Sequence, residues 1–458
     1  MKWYTLIILI GLLLAGDVRA DEPLTLQQLA EKVQQQQLQI QQLQTQAQPP
    51  AVDAPSSASL LDRDLFQHRS ADGRDYRPRV NLFGRLHIDT QLAGQSTENI
   101  ELLGDLQNTV GFRRARLGAE GDIHRDVYWK AEFDFAGGDI AFRDVYVALR
   151  NIPWLQEIRV GHFREPFSLE AATSSNNITL MERSTSNQFD PGRNWGVGIF
   201  SFTPDEVFTW SLAAFRSSTD NTGTADGDNN DMAYDVRLTA SPMYESTVTT
   251  YRVMHVGGAI SYRVPINNLV TFKPTRQLVV AEDSPPSPLT VPLQIPANHW
   301  ELYNLLWAMV NGPWSVQTEW TGVSINQLGG KPVFLHGCYA QCSYFPTGDH
   351  RHYDRRTGAF DGVQVRSPWN ASGGSEPGWG ALELAWRLDY LDTSDPNIPE
   401  QPIGNKQIEN LYTSTLGINW YLNNYTRLML NYTYGLPVDI DSQASVAHLV
   451  GIRFAIHW

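Results

Sequence analysis

One stretch of the chain, residues 164–194, combines basic and acidic side chains without a repeating apolar pattern. Its charged residues are Arg164, Arg183, Arg193, Glu165, Glu170, Glu182 and Asp190. Guanidinium groups hold phosphate and carboxylate groups through paired hydrogen bonds, so arginines of this kind can contact anions. Alternatively, an arginine and a neighbouring acid form an ion pair that only fixes a loop to its surroundings. Thirty-one residues is long for a plain connection, and such loops usually carry function.

The elements on either side of this stretch show a period of two, which is typical of β-strands. In residues 127–135, for example, apolar positions alternate with Tyr128, Lys130, Glu132 and Asp134. The alternating segments run 10–13 residues, which is near the ~9–11 that cross a bilayer at a tilt. Tryptophan and tyrosine stand near segment ends, as in the aromatic girdles of membrane barrels. The pattern predicts an all-β chain that forms a transmembrane antiparallel barrel.

The lengths of the connections support this prediction. Sixteen strands can be placed between residues 80 and 458, with the least regular one, the twelfth, at 357–367. Most even-numbered connections are short, and most odd-numbered ones are long, including 164–194 and 326–356. Membrane barrels show the same alternation of short periplasmic turns and long extracellular loops. The chain ends on an aromatic residue, Trp458, which we interpret as a signal for the outer-membrane assembly machinery.

Strand parity selects the charged side chains that face the lumen. Ten basic residues fall on the polar face, against eleven acidic ones, so the strand wall is close to neutral. An anion filter would therefore depend on a local cluster, in which the strands supply Arg114 and Arg116. Including the loop arginines, the candidates for anion contact are Arg114, Arg116, Lys130, Arg159, Arg164, Arg183, Arg193 and Arg387. The sequence has no nucleophile-elbow, zinc-protease, P-loop or dinucleotide motif, and we expect neither catalysis nor a cofactor.

The N-terminal region divides into three segments. Residues 1–20 have a positive start, an apolar core and a small-residue cleavage site, which predicts a signal peptide. Residues 21–48 carry an apolar heptad seam that predicts a short self-associating coiled-coil helix, or alternatively a polar tail. Residues 49–79 are a linker rich in proline, serine and alanine, and residues 80–458 form the barrel. The first segments are expected in the periplasm.

Export would place Cys338 and Cys342 in an oxidising compartment. Their spacing is compatible with a small disulfide loop within the connection 326–356. A metal site with His336, His350 and His352 is the alternative, but this spacing matches no common zinc pattern and we expect no metal.

Several separated motifs of the chain resemble those of the phosphate-selective porin O and P family. The main motif runs through Gly161, Phe163, Glu165, Pro166, Phe167, Ser168, Leu169, Glu170, Ser174, Ser175, Met181, Glu182, Arg183, Gly192, Arg193, Asn194 and Gly196. Further matches lie at 111–116, 358–360 and 379–384. The resemblance implies a sixteen-stranded outer-membrane barrel, usually trimeric, that passes small anions through a channel narrowed by an inward-folded third loop. The stretch 164–194 occupies that loop position.

We therefore expect a water-filled outer-membrane channel for passive diffusion of small hydrophilic solutes, with anions such as phosphate as candidates. Its expected partners are lipid, the assembly machinery and two further copies. The net charge of −14 argues against nucleic acid. A barrel with an adhesive or enzymatic role and a soluble extracellular β-sandwich lectin are the alternatives.

Overall fold

The computed structural model describes residues 68–69, 75–76, 78–217, 231–247, 250–272, 293–370, 378–399, 408–441 and 443–458. The predicted signal peptide 1–20 and coiled-coil helix 21–48 lie outside these ranges, as does most of the linker 49–79. No helix within them is long and apolar enough to cross a membrane.

Sixteen antiparallel strands close into one barrel, because the last strand pairs with the first. This confirms the predicted architecture and excludes the β-sandwich. The first eight strands are β1 Arg79–Gln95, β2 Thr109–His124, β3 Val127–Asp134, β4 Ala141–Ile152, β5 Gln156–Arg164, β6 Arg193–Phe202, β7 Phe208–Arg216 and β8 Met232–Ser246. The others are β9 Tyr251–Arg263, β10 Leu293–Asn311, β11 Trp314–Gln327, β12 Val333–Tyr344, β13 Ala381–Asp392, β14 Ile408–Asn423, β15 Thr426–Asp439 and β16 Ala447–His457.

Short elements accompany the barrel. His68–Arg69 pairs with Asp75–Tyr76, Tyr353–Asp354 pairs with Ala359–Phe360, and Leu269–Phe272 pairs with the start of β10. Helix α1, Thr97–Leu103, follows β1, and helix α2, Leu169–Ala172, lies between β5 and β6. The 3₁₀ turns are Thr185–Phe189 and Ile266–Asn268.

The strands are apolar outside and polar inside, as β13 illustrates. Its outward Leu384 and Trp386 are 42% and 45% exposed, whereas the inward Glu383 and Arg387 are at most 1% exposed. In a soluble protein this arrangement would leave a large apolar surface in water. A lipid exterior and a polar lumen account for it.

The twelfth strand differs from the prediction. It is Val333–Tyr344, not 357–367, of which only Ala359 and Phe360 are in a strand. The β11–β12 connection is therefore 328–332, and the long connection is 345–380, at the opposite end of the barrel. We call the end with the short even connections the turn end and the other the loop end. The alternation of β12 is hidden in the sequence because its inward positions include Gly337 and its outward ones include His336.

Residues 345–370, which we call the turn-end insertion, fold into the lumen and do not extend away from the barrel. Tyr353 and Phe360 join a buried cluster with the inward Tyr251 of β9, and Phe345, Val363 and Val365 join another cluster. The backbone oxygen of Gly358 accepts a hydrogen bond from Arg237 Nη2 at 2.8 Å. Together with the third loop, the insertion occupies the part of the lumen beside β9–β16, and its residues 355–358 reach β8.

The closing seam contains a glycine that the last residue covers. Gly84 and Trp458 exchange two backbone hydrogen bonds of 3.1 Å, and the Trp458 indole lies over Gly84. A Cβ atom added at Gly84 would lie 2.3–2.8 Å from the indole, so any side chain there displaces the ring.

We expect Gly84→Val to lower the stability of the closed barrel by about 1–3 kcal/mol, because the indole loses its packing at the seam. The fraction of heat-modifiable barrel after refolding, measured against urea, checks this. Gly94→Val on the same strand is the matched control, since its nearest contact is a His448 atom at 3.9 Å. Equal stability of the two variants would contradict the prediction.

Candidate functional site

The third loop, residues 165–192, lies inside the barrel. It was predicted at 164–194, between β5 and β6. Its apolar side chains Phe167, Met181 and Phe189 are each 1% exposed and pack among inward residues of β10–β16, including Leu302 and Leu335. These contacts fix the loop against one half of the lumen wall.

Acidic residues of the third loop bind buried arginines of the wall. Glu182 accepts hydrogen bonds from Arg453 Nη2 at 2.7 Å and from Arg113 Nε and Nη2 at 2.9 Å. Glu170 lies 3.4 Å from Arg387 Nη1. The third such acid, Glu165, pairs with Arg263.

Arg113 reaches Glu182 because of an irregularity in β2. The pairing of β1 with β2 shifts register between His87 and Ile88, so that Arg113 is an extra residue on its strand. Such a bulge re-aims a side chain. Strict parity would place Arg113 on the lipid side, which is why the sequence did not single it out.

Acids of the wall also hold the backbone of the loop. Glu319 on β11 accepts the amide hydrogens of Leu169 and Glu170 at 3.0 and 2.8 Å, at the start of α2. Asp389 on β13 accepts the amide of Thr185 at 3.0 Å. Donors at the first turn of a helix have no partner within it, so these carboxylates satisfy groups that would otherwise be buried unpaired.

Two loop carboxyls have different electrostatic surroundings. Burial raises the pKa of Glu170 to about 7, despite the nearby Arg387 guanidinium. Burial acts in the same direction on Glu182, but Arg113, Arg114 and Arg453 hold the pKa of that carboxyl well below its usual range. Glu182 is therefore the acid that keeps its charge over the wider pH range and anchors the loop.

The other half of the lumen contains a cavity of about 680 Å³, which we call the basic cavity. It lies between the wall of β1–β8, the third loop and the edge of the turn-end insertion. Its lining includes eleven basic and five acidic side chains. The basic ones are Arg85, Arg114, Arg116, Lys130, Arg150, Arg159, Arg164, Arg183, Arg193, Arg237 and Arg356.

Seven of the eight predicted basic candidates line this cavity: Arg114, Arg116, Lys130, Arg159, Arg164, Arg183 and Arg193. Arg387 does not. Its guanidinium is 1% exposed and donates to the backbone oxygens of Glu182 and Arg183 at 2.9 and 3.1 Å. Arg387 thus binds the third loop from the side of β13, away from the basic cavity.

Several cavity arginines have acid partners, which orient them. Arg164 pairs with Asp190 at 2.6 Å and Arg193 with Asp144 at 2.9 Å. Arg183 also donates to the backbone oxygens of Glu170 and Thr173 at 3.1 and 2.9 Å.

Four lining residues were not among the sequence candidates. Arg85, Arg150 and Arg237 have the inward parity and were counted among the ten lumen-facing basic residues, but they were not selected as anion contacts. Arg356 lies on the turn-end insertion, where it pairs with Glu206 at 2.7 Å. Its position depends on a fold of that segment that no sequence period reveals.

The predicted disulfide between Cys338 and Cys342 is wrong. Both cysteines are free and lie on the outward face of β12. Four residues of extended strand separate their Cα atoms by about 13 Å, whereas a disulfide needs less than about 7 Å. Two histidines of the alternative metal site, His350 and His352, are apart from them, since both rings pack on the inward Tyr251.

Comparisons with known proteins agree with this architecture. The family model described as phosphate-selective porin O and P matches residues 80–454. The chain is 29% identical over 396 residues to an uncharacterized protein of Caulobacter vibrioides, covering 84% of this chain and 73% of the relative. It is 23% identical over 381 residues to Porin O of Pseudomonas aeruginosa, covering 77% and 81%.

A solved structure similar to this one is OmpT, an outer membrane protein of Vibrio cholerae. The TM-score is 0.49 at 11% identity, covering 83% of this chain and 98% of that one. The family match spans most of the chain and coincides with the barrel and its inward-folded third loop. The chain therefore belongs to the phosphate-selective porin O and P family, and it is an outer-membrane porin that passes small solutes.

Proposed function

We propose that this porin selects anions, phosphate among them, and conducts them along the basic cavity. It acts as a channel and not as an enzyme. The observation that carries the proposal is the excess of eleven basic over five acidic side chains around the cavity. A charged lining raises the local concentration of counter-ions and repels ions of its own sign.

The excess results from the way the third loop is oriented. Its carboxylates Glu170 and Glu182 turn towards the wall, where Arg387 and Arg453 neutralise them. Arg183 of the same loop lines the cavity. A wall that is nearly neutral by residue count thus surrounds a lumen that is basic on its open side.

The reversal potential of the purified porin in a planar bilayer under a KCl gradient tests the proposal. We expect a chloride-to-potassium permeability ratio of about 5 or more, since basic side chains outnumber acidic ones around the path. We also expect added phosphate to reduce the chloride current. Cation preference in the same gradient would contradict the proposal.

A homotrimer is proposed from the outer surface. Exposed tryptophan and tyrosine residues of the described strands all belong to β8–β15: Tyr234, Tyr244, Tyr262, Trp314, Trp386, Tyr412 and Tyr432. The exposed positions of β1–β5 are mainly aliphatic, such as Leu82, Leu92, Leu117 and Leu149. A lipid-facing surface carries aromatic belts at its interfaces, so the face without them is the surface that would contact other copies. The native mass of the detergent-extracted porin tests this, and a monomer would contradict it.

The remaining proposals concern assembly and orientation. We place the loop end outside the cell and the turn end, with the segment before β1, in the periplasm. Residues 1–20 would be removed on export, and Trp458 at the closing seam would be read by the barrel-assembly machinery. We also propose that the seven predicted basic residues that line the cavity contact permeating anions. Protease protection of tags placed at residue 21 and in the loop at 217–231 distinguishes the two ends.

A further inference from the structure

We propose that the turn end of the basic cavity binds small organic anions in which a ring stands next to a phosphate or carboxylate group. This inference rests on the proposed anion selectivity and adds the class of solute. It comes from aromatic side chains that line the cavity beside its arginines. Tyr146, Phe200 and Phe202, on β4 and β6, form what we call the aromatic floor.

The Phe200 ring of the floor lies along the wall because the small residue Gly198 leaves room for it. A Cβ atom added at Gly198 would lie 2.9 and 3.2 Å from two atoms of the Phe200 ring. Phe200 therefore lies folded over its neighbour and does not cross the lumen. A ring that lies along the wall leaves the lumen open to passing solutes.

Guanidinium groups lie beside this floor. The Arg159 guanidinium carbon is 4.3 Å from the Tyr146 ring centroid and 4.4 Å from that of Phe200. That of Arg356 is 5.5 Å from the Phe202 centroid. Both residues line the cavity. Positive charge and aromatic surface thus occur within one side-chain length of each other.

The cations beside the floor retain donors for a ligand. The observed hydrogen bonds from Arg159 to Glu157 use Nε and Nη2, at 2.9 and 2.6 Å. The Nη1 group of the guanidinium is not used in these bonds and can donate to a ligand. Arg356 is largely exposed, with 65% of its side chain accessible. Hydroxyl groups of Thr209 and Ser211 line the same end of the cavity.

Inorganic phosphate makes no use of such a surface. It needs donors and charge, which the part of the cavity next to the third loop already supplies. An aromatic face attracts a second ring or the apolar face of a sugar, while neighbouring arginines bind the anionic group. The floor therefore favours ring-bearing anions over anions of equal charge that lack a ring.

Two phosphate monoesters of equal charge test this inference. Phenyl phosphate and methyl phosphate are titrated into the native porin in a planar bilayer, and the half-blocking concentration of each is read from the chloride current. We expect phenyl phosphate to block at about a 5- to 10-fold lower concentration, because one aromatic pair contributes roughly that factor. Equal half-blocking concentrations in an anion-selective channel would overturn the inference and leave the proposed function intact.

Variants of the floor complete the test. The double variant Phe200→Leu, Phe202→Leu keeps apolar bulk but removes two aromatic rings. We expect the ratio of the half-blocking concentrations of methyl phosphate and phenyl phosphate to fall below about 2 in this variant. Block by methyl phosphate should not change. Phe208→Leu, on the lipid face of β7, is the matched control and should keep the native ratio.

Folding of the variants is followed separately. Phe200 packs against the buried Phe163 at 6.0 Å, so the double variant is checked for heat-modifiable migration and for native chloride conductance. If it does not assemble, Phe202→Leu alone should lower the ratio about 2- to 3-fold. A preserved ratio in an assembled floor variant overturns the inference, whereas cation preference of the native channel overturns the proposed function.

Discussion

Replacing Glu182 with glutamine is expected to destabilise the barrel by about 3–5 kcal/mol and to increase its conductance. Breaking a buried ion pair by removing one partner has this cost because the other partner stays buried with an uncompensated charge. Glu182 is 6% exposed and accepts hydrogen bonds from Arg113 and Arg453, with Arg114 at 3.9 Å. Its neutralisation leaves Arg113 and Arg114 to repel one another beneath the third loop, whereas Arg453 keeps its ion pair with Asp89 at 2.6 Å.

The expected increase in conductance follows from the position of Glu182 near the middle of the loop. Met181, its neighbour, is part of the apolar cluster that holds the loop to β10–β16. Repulsion beneath this point moves the loop away from the wall and weakens its constriction of the lumen. Urea denaturation followed by heat-modifiable migration measures the stability, and single-channel recording measures the conductance.

Glu206→Gln is the matched control for this variant. Glu206 also pairs with an arginine, Arg356, at 2.7 Å, but both side chains are partly exposed, at 28% and 65%. Exposed ion pairs contribute about 0–1 kcal/mol, so the control should unfold close to the native midpoint. If Glu182→Gln is as stable as Glu206→Gln, the third loop is not held by this cluster of arginines.

The sequence was sufficient for the barrel because lipid and water impose the same alternation along each strand. Leu384 and Trp386 against Glu383 and Arg387 show this pattern directly, and the structure confirms it. The position of the third loop was also predictable, from its length between two regular strands. Both features follow from the alternation along each strand and from the lengths of the connections. Neither of these depends on the tertiary contacts.

The charge of the lumen could not be predicted in the same way. Parity counts Arg453 and Arg387 as lumen charges, but Glu182 and Glu170 of the loop neutralise them. Only the tertiary fold shows which acids face the wall and which arginines remain in the cavity. The same limit applies to the turn-end insertion, whose aromatic residues Tyr353 and Phe360 have no strand period of their own.

Neutralising two cavity residues, Lys130→Gln with Arg159→Gln, is expected to lower the anion-to-cation permeability ratio by about 5- to 10-fold. A unit charge 8 Å from a permeating ion contributes about 0.5 kcal/mol in water, and more between low-dielectric walls. Two such charges therefore account for roughly this factor. The reversal potential in a KCl gradient measures it.

These two positions are chosen because neutralising them leaves no buried acidic side chain without a hydrogen-bond or ion-pair partner. Glu157, the partner of Arg159, keeps Arg150 at 3.1 Å. Glu120, the partner of Lys130, keeps a hydrogen bond from Tyr128 and is 32% exposed. The variant should therefore assemble as the native porin does, and its selectivity can be compared at equal conductance.

Arg252→Gln removes one positive charge outside the basic cavity and serves as the control. Arg252 is 51% exposed near the start of β9, 3.9 Å from Glu245, and does not line the cavity. Its neutralisation should leave the reversal potential within error of the native value, because solvent screens it from the path. If Arg252→Gln shifts the potential as much as the double variant, selectivity arises from the overall charge of the barrel and not from the basic cavity.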